Sequence, residues 1–303
     1  MNQYIVGIDA GGTKTRAALY DVHGRILRTA VSGFGNMLVD AAIAKNNIVN
    51  AISDCLAGCP TADAALYIGA AGITADGNAA ELALEIKSRF PGCPCRIESD
   101  AIMALYAMTE GRDGILAIAG TGSIAYAKRG ATLTRAGGWG NILGDEGSGY
   151  DIARRALAHI TTEYDAGKGY GLLSRRLLEK LGTDVYGLVK MVHTVSKGEI
   201  AGFFPIVDQA AADGDPFASA LLQQAGQSLA AMVGQLRIRA EFAGQTLLAV
   251  KGGVLEKSEA VKTSFINGLD EGCFSVSNKR VASEWGAYYM HMGENPPGGY
   301  SPV

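Results

Sequence analysis

The chain has 303 residues, of which 48% are hydrophobic, 19% charged and 7% aromatic, a composition typical of a globular protein with one or two domains. The formal net charge is −3 and no basic run stands out, so we expect neither nucleic acid nor an anionic membrane as a partner. No apolar run approaches the roughly 18 residues of a membrane span, and a strand predicted from Tyr4 leaves no room for a signal peptide. We therefore expect a cytoplasmic protein.

The first half of the chain alternates predicted strands and helices. Apolar residues recur at helical spacing after Asp40, which is a good helix-capping residue, whereas the segments rich in β-branched residues are short and end at glycine-containing turns. The predicted elements are, in order, strands 4–9, 15–20 and 25–31, helix 40–56, strand 64–69, helix 78–90, strand 96–98 and helix 99–106.

The second half repeats this order with a long helical insertion. Its predicted elements are strands 114–119, 123–128 and 132–134, an irregular segment 137–149, helices within 151–243, strand 247–250, a helix from the turn 251–253 to about 269, strand 274–276 and helix 284–291. We expect residues 295–303 to be loose. The prediction is an α/β fold of two ribonuclease H-like lobes, 1–111 and 112–303, with the last helix free to pack on the first lobe.

Five cysteines form an odd number and match no recognised metal-binding pattern. Cys93 and Cys95 are separated by one residue in a predicted turn, whereas Cys55 and Cys59 lie near the end of a predicted helix. These spacings leave a metal or iron–sulfur role open. We favour reduced structural cysteines, as is usual in a cytosolic protein.

Two glycine-rich turns between strands carry the clearest functional signal. They are Asp9–Lys14 (DAGGTK) and Gly120–Gly122 (GTG). Glycine exposes backbone N–H groups that can wrap phosphate oxygens, so the pair predicts a bound nucleotide triphosphate. The first turn is not a Walker loop, because its order is Gly-Thr-Lys and a strand follows. Gly120–Ala125 formally matches the dinucleotide fingerprint, but that fingerprint requires a following helix and a strand is predicted here.

Asp9 closes the first strand directly before the first glycine-rich turn. We expect its carboxylate to hold Mg²⁺ through water, because Mg²⁺ tends to keep part of its hydration shell. Lys14 either contacts phosphate or is solvated, and the sequence leaves both open. Two ordinary hairpin turns are the alternative, but their corresponding positions in the two halves favour phosphate binding.

These motifs resemble the superfamily of sugar kinases, actin and heat-shock ATPases. Residues 9–13 look like its first phosphate motif, 120–123 like its second, and 251–254 (KGGV) like its adenosine motif. The string 137–148 (GGWGNILGDEGS) is the most specific and resembles the N-acetylglucosamine kinase family, which is related to the acyl-CoA dehydratase activator ATPases. The resemblance covers essentially the whole chain.

The resemblance implies transfer of the γ-phosphoryl group of MgATP to the 6-hydroxyl of N-acetylglucosamine. Asp100 matches the family's catalytic base, with a helix N-cap as the alternative role. The implied substrate-binding residues are Asn36, Asp100, Ser123, Gly138, Trp139, Gly140 and Asp145. The implied nucleotide-binding residues are Gly11, Gly12, Thr13, Lys14, Gly120, Thr121, Gly122, Ala211, Gly252 and Gly253, with Mg²⁺ at Asp9. Trp139 would offer apolar surface to the sugar, and core packing is its alternative role.

Two departures from the family pattern leave the sugar open. Lys251 stands where a small residue is more usual, and Ile124 stands where an asparagine can occur. Glucosamine and N-acetylmuramic acid are therefore alternative substrates of the same reaction. The resemblance also implies a homodimer.

Two other functional classes compete with the kinase. A dehydratase activator ATPase needs an iron–sulfur cluster, and the sequence has no cysteine between Cys95 and Cys273 to ligate one. A non-catalytic sugar sensor would use the same fold, but the presence of both Asp9 and Asp100 argues for catalysis.

Overall fold

The computed structural model describes residues 3–73, 77–277 and 279–294, and the chain divides into two compact units. The first unit comprises the residues up to Asp113 and those from Lys279 onward, and the second comprises residues 114–278. The predicted looseness of residues 295–303 falls outside the described ranges. None of the helices within those ranges is long and apolar enough to cross a membrane.

The first unit is built on a five-stranded sheet with the order β3-β2-β1-β4-β5. Strand β1 pairs antiparallel with β2 and parallel with β4, β2 pairs antiparallel with β3, and β4 pairs parallel with β5. The strands are Tyr4–Ala10 (β1), Thr15–Asp21 (β2), Ile26–Ser32 (β3), Ala64–Ala70 (β4) and Cys95–Ser99 (β5), and the helices are Ala41–Leu56 (α1), Asn78–Arg89 (α2), Asp100–Thr109 (α3) and a last helix, Gly286–Glu294.

Helices cover both faces of this sheet, because the side chains of a central strand alternate between two apolar cores. Val6 and Ile8 of β1 belong to the core formed with α1 and α2, whereas Ile5 belongs to the core formed with α3 and the last helix. Gly7 allows the close approach of the last helix and the turn before it, since a Cβ there would lie 2.7 Å from the Cβ of Ala287 and 2.3 Å from the carbonyl oxygen of Glu284. The carboxylate of Asp40 accepts the N–H of Ile43 at 3.0 Å, which confirms the predicted start of α1.

The second unit repeats the same strand order in a second five-stranded sheet, β10-β9-β6-β7-β8. Its pairing directions match those of the first sheet, with β6 antiparallel to β7 and parallel to β9. The strands are Gly114–Ala119 (β6), Ser123–Arg129 (β7), Thr132–Gly137 (β8), Thr246–Lys251 (β9) and Phe274–Ser277 (β10).

A long helical insertion separates β8 from β9 in the second unit. The helices of this unit are Gly140–Leu143 (α4), Gly149–Ala166 (α5), Leu172–Leu181 (α6), Val185–Val192 (α7), Lys197–Ala201 (α8), Phe204–Ala212 (α9), Pro216–Arg239 (α10), Gly253–Lys257 (α11) and Glu259–Asn267 (α12). Helix α10 packs on β6, β7 and β8, and its buried Leu222 and Leu229 join one continuous core with strands and insertion. The predicted fold, two related α/β lobes with a helical insertion in the second, is confirmed.

The structure corrects the predicted elements at two places. The segment 137–149 contains one helical turn, α4, because the glycine-free residues 141–143 can close a turn before Gly144. The single helix predicted from 253 to about 269 is two helices, which meet at Ser258. The hydroxyl of Ser258 accepts the N–H of Val261 at 3.3 Å, so this residue caps and starts a new helix.

All five cysteines are free thiols. The Cys93 thiol donates a hydrogen bond to the carbonyl oxygen of Thr61 at 2.8 Å. Burial raises the pKa of the Cys55 thiol to about 11, because a buried thiolate would lose its hydration, so this thiol stays protonated at neutral pH. Across the described residues, no three His, Cys, Asp or Glu side chains are grouped so as to hold a metal ion.

Candidate active site

The first unit places two predicted site carboxylates at one edge of its sheet. Strands β1, β4 and β5 are parallel, so their carboxyl ends meet at the same edge. In the sheet register Asp9 lies opposite Gly69, and Gly69 lies opposite Glu98. Neighbouring strands are about 5 Å apart, so Asp9 is about 10 Å across the sheet from Glu98. The fold thus brings Asp9 and Asp100, which begins α3 two residues after Glu98, to the same edge.

The first glycine-rich turn joins β1 to β2 as a closed hairpin. The N–H of Gly11 donates to the carbonyl oxygen of Lys14 at 3.0 Å. Gly12, Thr13 and Lys14 are exposed, and a Cβ added at Gly12 would meet no atom within 4 Å. The turn therefore presents its backbone to open space, which is what a phosphate-binding turn requires.

The loop that carries Asn36 is anchored to this first hairpin. The N–H of Gly35 donates to the carbonyl oxygen of Gly11 at 2.8 Å, and a Cβ at Gly35 would lie 2.4 Å from the Cβ of Ala10. The Asn36 side-chain oxygen accepts the N–H of Leu38 at 2.9 Å, which orients the amide. Its amide nitrogen has no hydrogen-bond partner within the described ranges, so it is available to donate to a ligand.

Ser99, and not Asp100, is the residue that caps helix α3. Ser99 is the N-cap, and its hydroxyl accepts the N–H of Ile102 at 3.2 Å. Asp100 is the first helical residue, half-buried, and its carboxylate accepts the N–H of Ala101 at 2.9 Å. The capping function is therefore met by Ser99, and Asp100 places a carboxylate at the positive end of the helix dipole.

The second glycine-rich turn joins β6 to β7 and is closed in the same way. The N–H of Gly120 donates to the carbonyl oxygen of Gly122 at 2.9 Å, and the N–H of Gly149 donates to the carbonyl oxygen of Gly120 at 2.7 Å. The second bond fixes the start of α5 to the hairpin. Thr121 is exposed, and a Cβ added at Gly120 would meet no atom within 4 Å.

A cavity of about 560 Å³ lies beside this second hairpin, and we call it the hairpin pocket. Gly120 and Thr121 of the predicted phosphate turn and Gly253 of the predicted adenosine turn meet there, and α8, α9 and α11 supply the other walls. Gly252 has φ of +100°, and a Cβ there would lie 2.4 Å from the carbonyl oxygen of Ala119, so only glycine fits this close turn. The full lining is Gly120, Thr121, Gly198, Ala201, Gly202, Phe204, Pro205, Asp208, Gln209, Gly253, Val254 and Lys257.

Ala211, the remaining predicted nucleotide residue, lines a neighbouring cavity of about 770 Å³ between α9, α10 and α12. Asp208 and Lys257 line both cavities. Sequence reasoning missed these two charged residues. Lys257 lies four residues after Gly253, one helical turn along α11, and this spacing could have indicated it. Asp208 lies in the insertion and carries no comparable signal.

Asp145 is buried against the base of the second hairpin. Its side chain is 4% exposed, and its carboxylate accepts the N–H of Ser123 at 3.2 Å and forms an ion pair with Lys197. Its φ of +66° is unusual for a residue other than glycine. The Ser123 hydroxyl also donates to the carbonyl oxygen of Glu146 at 2.8 Å, so two hydrogen bonds connect Ser123 to residues 145 and 146.

Replacing Lys197 by methionine is expected to lower the free energy of unfolding of the second unit. The Asp145 carboxylate would keep its burial but lose its cation, which costs about 3–5 kcal/mol in a fully buried pair. Lys197 is 34% exposed, so water offsets part of the loss and we expect about 2 kcal/mol. Urea unfolding measures the change. The Lys180→Met control should have little effect, and adding Asp145→Asn to Lys197→Met should recover part of the stability. Equal stability of Lys197→Met and the parent would contradict a stabilising pair.

Trp139 lies outside the hydrophobic core of the second unit. Its side chain is 60% exposed, and the guanidinium carbon of Arg135 lies 4.4 Å from the centre of its ring. The preceding Gly138 has φ of +68°, and its N–H donates to the carbonyl oxygen of Ser123 at 2.9 Å. Gly140 follows with φ of +81°. The backbone of this segment is thus tied to Ser123 while the indole stays accessible.

Comparison with known proteins identifies the family. The sequence profile of the BadF/BadG/BcrA/BcrD ATPase family matches residues 6–287, which is most of the chain. The chain belongs to this family. The match spans both glycine-rich turns, the Trp139–Asp145 segment and the adenosine turn.

Relatives that match the chain in sequence are named as kinases of amino sugars. The N-acetylmuramic acid/N-acetylglucosamine kinase of Clostridium acetobutylicum is 30% identical over 75% of this chain and 77% of its own length. The glucosamine kinase of Vibrio cholerae is 26% identical over 84% of this chain and 86% of its own. A solved structure from Chromobacterium violaceum, provisionally assigned as an N-acetylglucosamine kinase, has a TM-score of 0.75 at 27% identity and covers 94% of this chain and 98% of its own. The resemblance to the N-acetylglucosamine kinase family is confirmed.

Proposed function

We propose that the chain transfers the γ-phosphoryl group of ATP to the 6-hydroxyl of an amino sugar, with N-acetylglucosamine as the first candidate. The observation that carries this proposal is the hairpin pocket, where the predicted phosphate turn at Gly120–Thr121 and the predicted adenosine turn at Gly253 line one cavity. Membership of an ATPase family supports the donor, and the amino-sugar kinases among its relatives support the acceptor.

Asp100 would serve as the general base. The oxygen of the sugar 6-hydroxyl attacks the γ-phosphorus, the bond from that phosphorus to the bridging β,γ-oxygen breaks, and ADP leaves. The proton of the hydroxyl passes to the Asp100 carboxylate. Because Ser99 already caps α3, the Asp100 carboxylate is not needed to start the helix.

The residues of both hairpins fit a nucleotide with its metal ion. The open space in front of Gly12 and Gly120 would be filled by a Cβ, so these glycines leave room for phosphate oxygens. Asp9 supplies a single carboxylate at the end of β1, which suits Mg²⁺ because this ion is commonly held by one or two carboxylates together with phosphates and water. When bound, Mg²⁺ neutralises charge on the phosphates.

The proposed sugar-binding residues are taken unit by unit. In the first unit, the side-chain N–H of Asn36 would donate a hydrogen bond to a sugar hydroxyl, and Asp100 would act as the general base. In the second unit, Trp139 would pack its indole on the apolar face of the ring, and the backbone of Gly138 and Gly140 would supply polar groups. Ser123 and Asp145 complete the proposed set. We also propose that the protein acts in the cytoplasm as a homodimer.

N-Acetylmuramic acid and glucosamine are the second candidates, because the two matching kinases described above carry these sugars in their names. An ADP-release assay with MgATP and glucose, glucosamine, N-acetylglucosamine or N-acetylmuramic acid tests the proposal. We expect release that depends on an amino sugar, with the phosphate located on the 6-oxygen by NMR. If none of the four sugars promotes ADP release and none stabilises the protein against heat, the proposal is contradicted and an activator ATPase is favoured.

A further inference from the structure

Arg135 presents a positive charge for which the described part of the chain supplies no carboxylate partner. It is exposed on the edge strand β8, and among the described residues its interaction is with the face of Trp139, without an ion pair or hydrogen bond. Arg129, the last residue of β7 before the turn into β8, instead pairs with Glu241 at 2.9 Å. An arginine stacked on an aromatic ring loses rotamer freedom and keeps its hydrogen-bond donors at the edge.

This guanidinium lies at the border of the proposed sugar segment. Trp139 packs close to Gly144, where an added Cβ would lie 3.2 Å from the Trp139 Cβ, and Gly144 directly precedes Asp145. The same segment exposes the apolar side chains of Ile142 (90%) and Leu143 (79%). A cation and apolar surface therefore occur together beside the residues proposed to hold the sugar ring.

We propose that Arg135 selects an amino sugar that carries a carboxylate, such as the 3-O-lactyl ether of N-acetylmuramic acid. This inference rests on the proposed function. The planar guanidinium can donate two parallel hydrogen bonds to a carboxylate, which a neutral N-acetylglucosamine cannot accept in the same way. The methyl group of the lactyl ether matches the apolar surface of the segment. The same charge repels the ammonium group of glucosamine, which becomes the poorest of the three substrates.

Steady-state kinetics with three variants test this specificity. We would measure kcat/KM for N-acetylmuramic acid, N-acetylglucosamine and glucosamine with the parent protein, Arg135→Met, Arg135→Lys and Arg239→Met. Methionine keeps much of the length and removes the charge, and lysine keeps the charge but loses the bidentate geometry. Arg239 is an exposed arginine in the last turn of α10 and serves as the matched control.

We expect the parent protein to phosphorylate N-acetylmuramic acid, and Arg135→Met to lower the ratio of its kcat/KM to that of N-acetylglucosamine about tenfold. The change should lie mainly in KM, because the carboxylate is remote from the reacting hydroxyl. The ratio in Arg135→Lys should lie between those of Arg135→Met and the parent protein, and the ratio in Arg239→Met should equal that of the parent.

Two outcomes separate this proposal from the proposed function. The specificity assignment would be overturned if the protein phosphorylated N-acetylglucosamine but not N-acetylmuramic acid, or if Arg135→Met left the ratio of the two kcat/KM values unchanged. Either result would leave the kinase assignment intact. Phosphorylation of none of the sugars would overturn the kinase assignment and the specificity assignment with it.

Discussion

Replacing Asp100 by asparagine is expected to lower kcat about a thousandfold while sugar binding changes little. Asparagine keeps the size and polarity of the side chain but has no basic oxygen to take the proton of the 6-hydroxyl. The helix start should be preserved, because Ser99 and not Asp100 caps α3. ADP release measures kcat, and isothermal titration with the sugar measures the dissociation constant.

Two control variants separate a catalytic effect of Asp100 from a structural one. Asp54→Asn removes an exposed carboxylate from α1 of the same unit and should leave kcat unchanged. Ser99→Ala removes the capping hydroxyl and should cost about 1 kcal/mol of stability, with a much smaller loss of kcat. Near-normal turnover by Asp100→Asn would show that another group accepts the proton.

Replacing Gly35 by alanine is expected to disrupt the contact between the Asn36 loop and the first hairpin. The new Cβ would lie 2.4 Å from the Cβ of Ala10 and 2.7 Å from the hydroxyl oxygen of Thr15, both in the buried base of the hairpin. Neither neighbour can move without shifting β1 or β2, so we expect a loss of about 3 kcal/mol in the free energy of unfolding. The displaced loop should also raise KM for the sugar through Asn36. Urea unfolding and steady-state kinetics measure the two effects.

Gly293→Ala is the matched control, because Gly293 is an exposed helical glycine of the same unit with no atom within 4 Å of an added Cβ. This variant should be as stable as the parent or slightly more stable. If Gly35→Ala retained both stability and sugar KM, the loop would tolerate separation from the hairpin and its anchoring role would be wrong.

The strands, the hairpins and the repeated lobe pattern could be predicted because they depend on local sequence. Apolar runs such as 4–9 and 114–119 end directly at glycine-rich turns, and Asp40 supplies a cap one residue before the observed start of α1. The helical turn α4 was not predicted, because glycines flank residues 141–143 and three residues of ordinary helical propensity are too few to indicate a helix.

The parts of the candidate site that could not be predicted depend on contacts between distant positions. Lys197 pairs with Asp145 across 52 positions of sequence, and no periodic pattern connects them. Asp208 lines both cavities because α9 packs on α10 and shares the wall of the hairpin pocket with α11. Arg135 is four residues before Trp139, but its stacking depends on the sharp turn that Gly137 and Gly138 make with positive φ. Such geometry appears only when the chain is folded.

Helix α8 touches two parts of the second unit for which we propose different ligands. Lys197 at its start pairs with Asp145, and Gly198 and Ala201 line the hairpin pocket. A ligand in the pocket that displaces this helix must also change the environment of the Asp145 carboxylate. Thermodynamic linkage then requires that the sugar alter nucleotide affinity by the same factor by which the nucleotide alters sugar affinity. Any coupling that runs through the five residues of α8 would therefore be measurable from either proposed ligand.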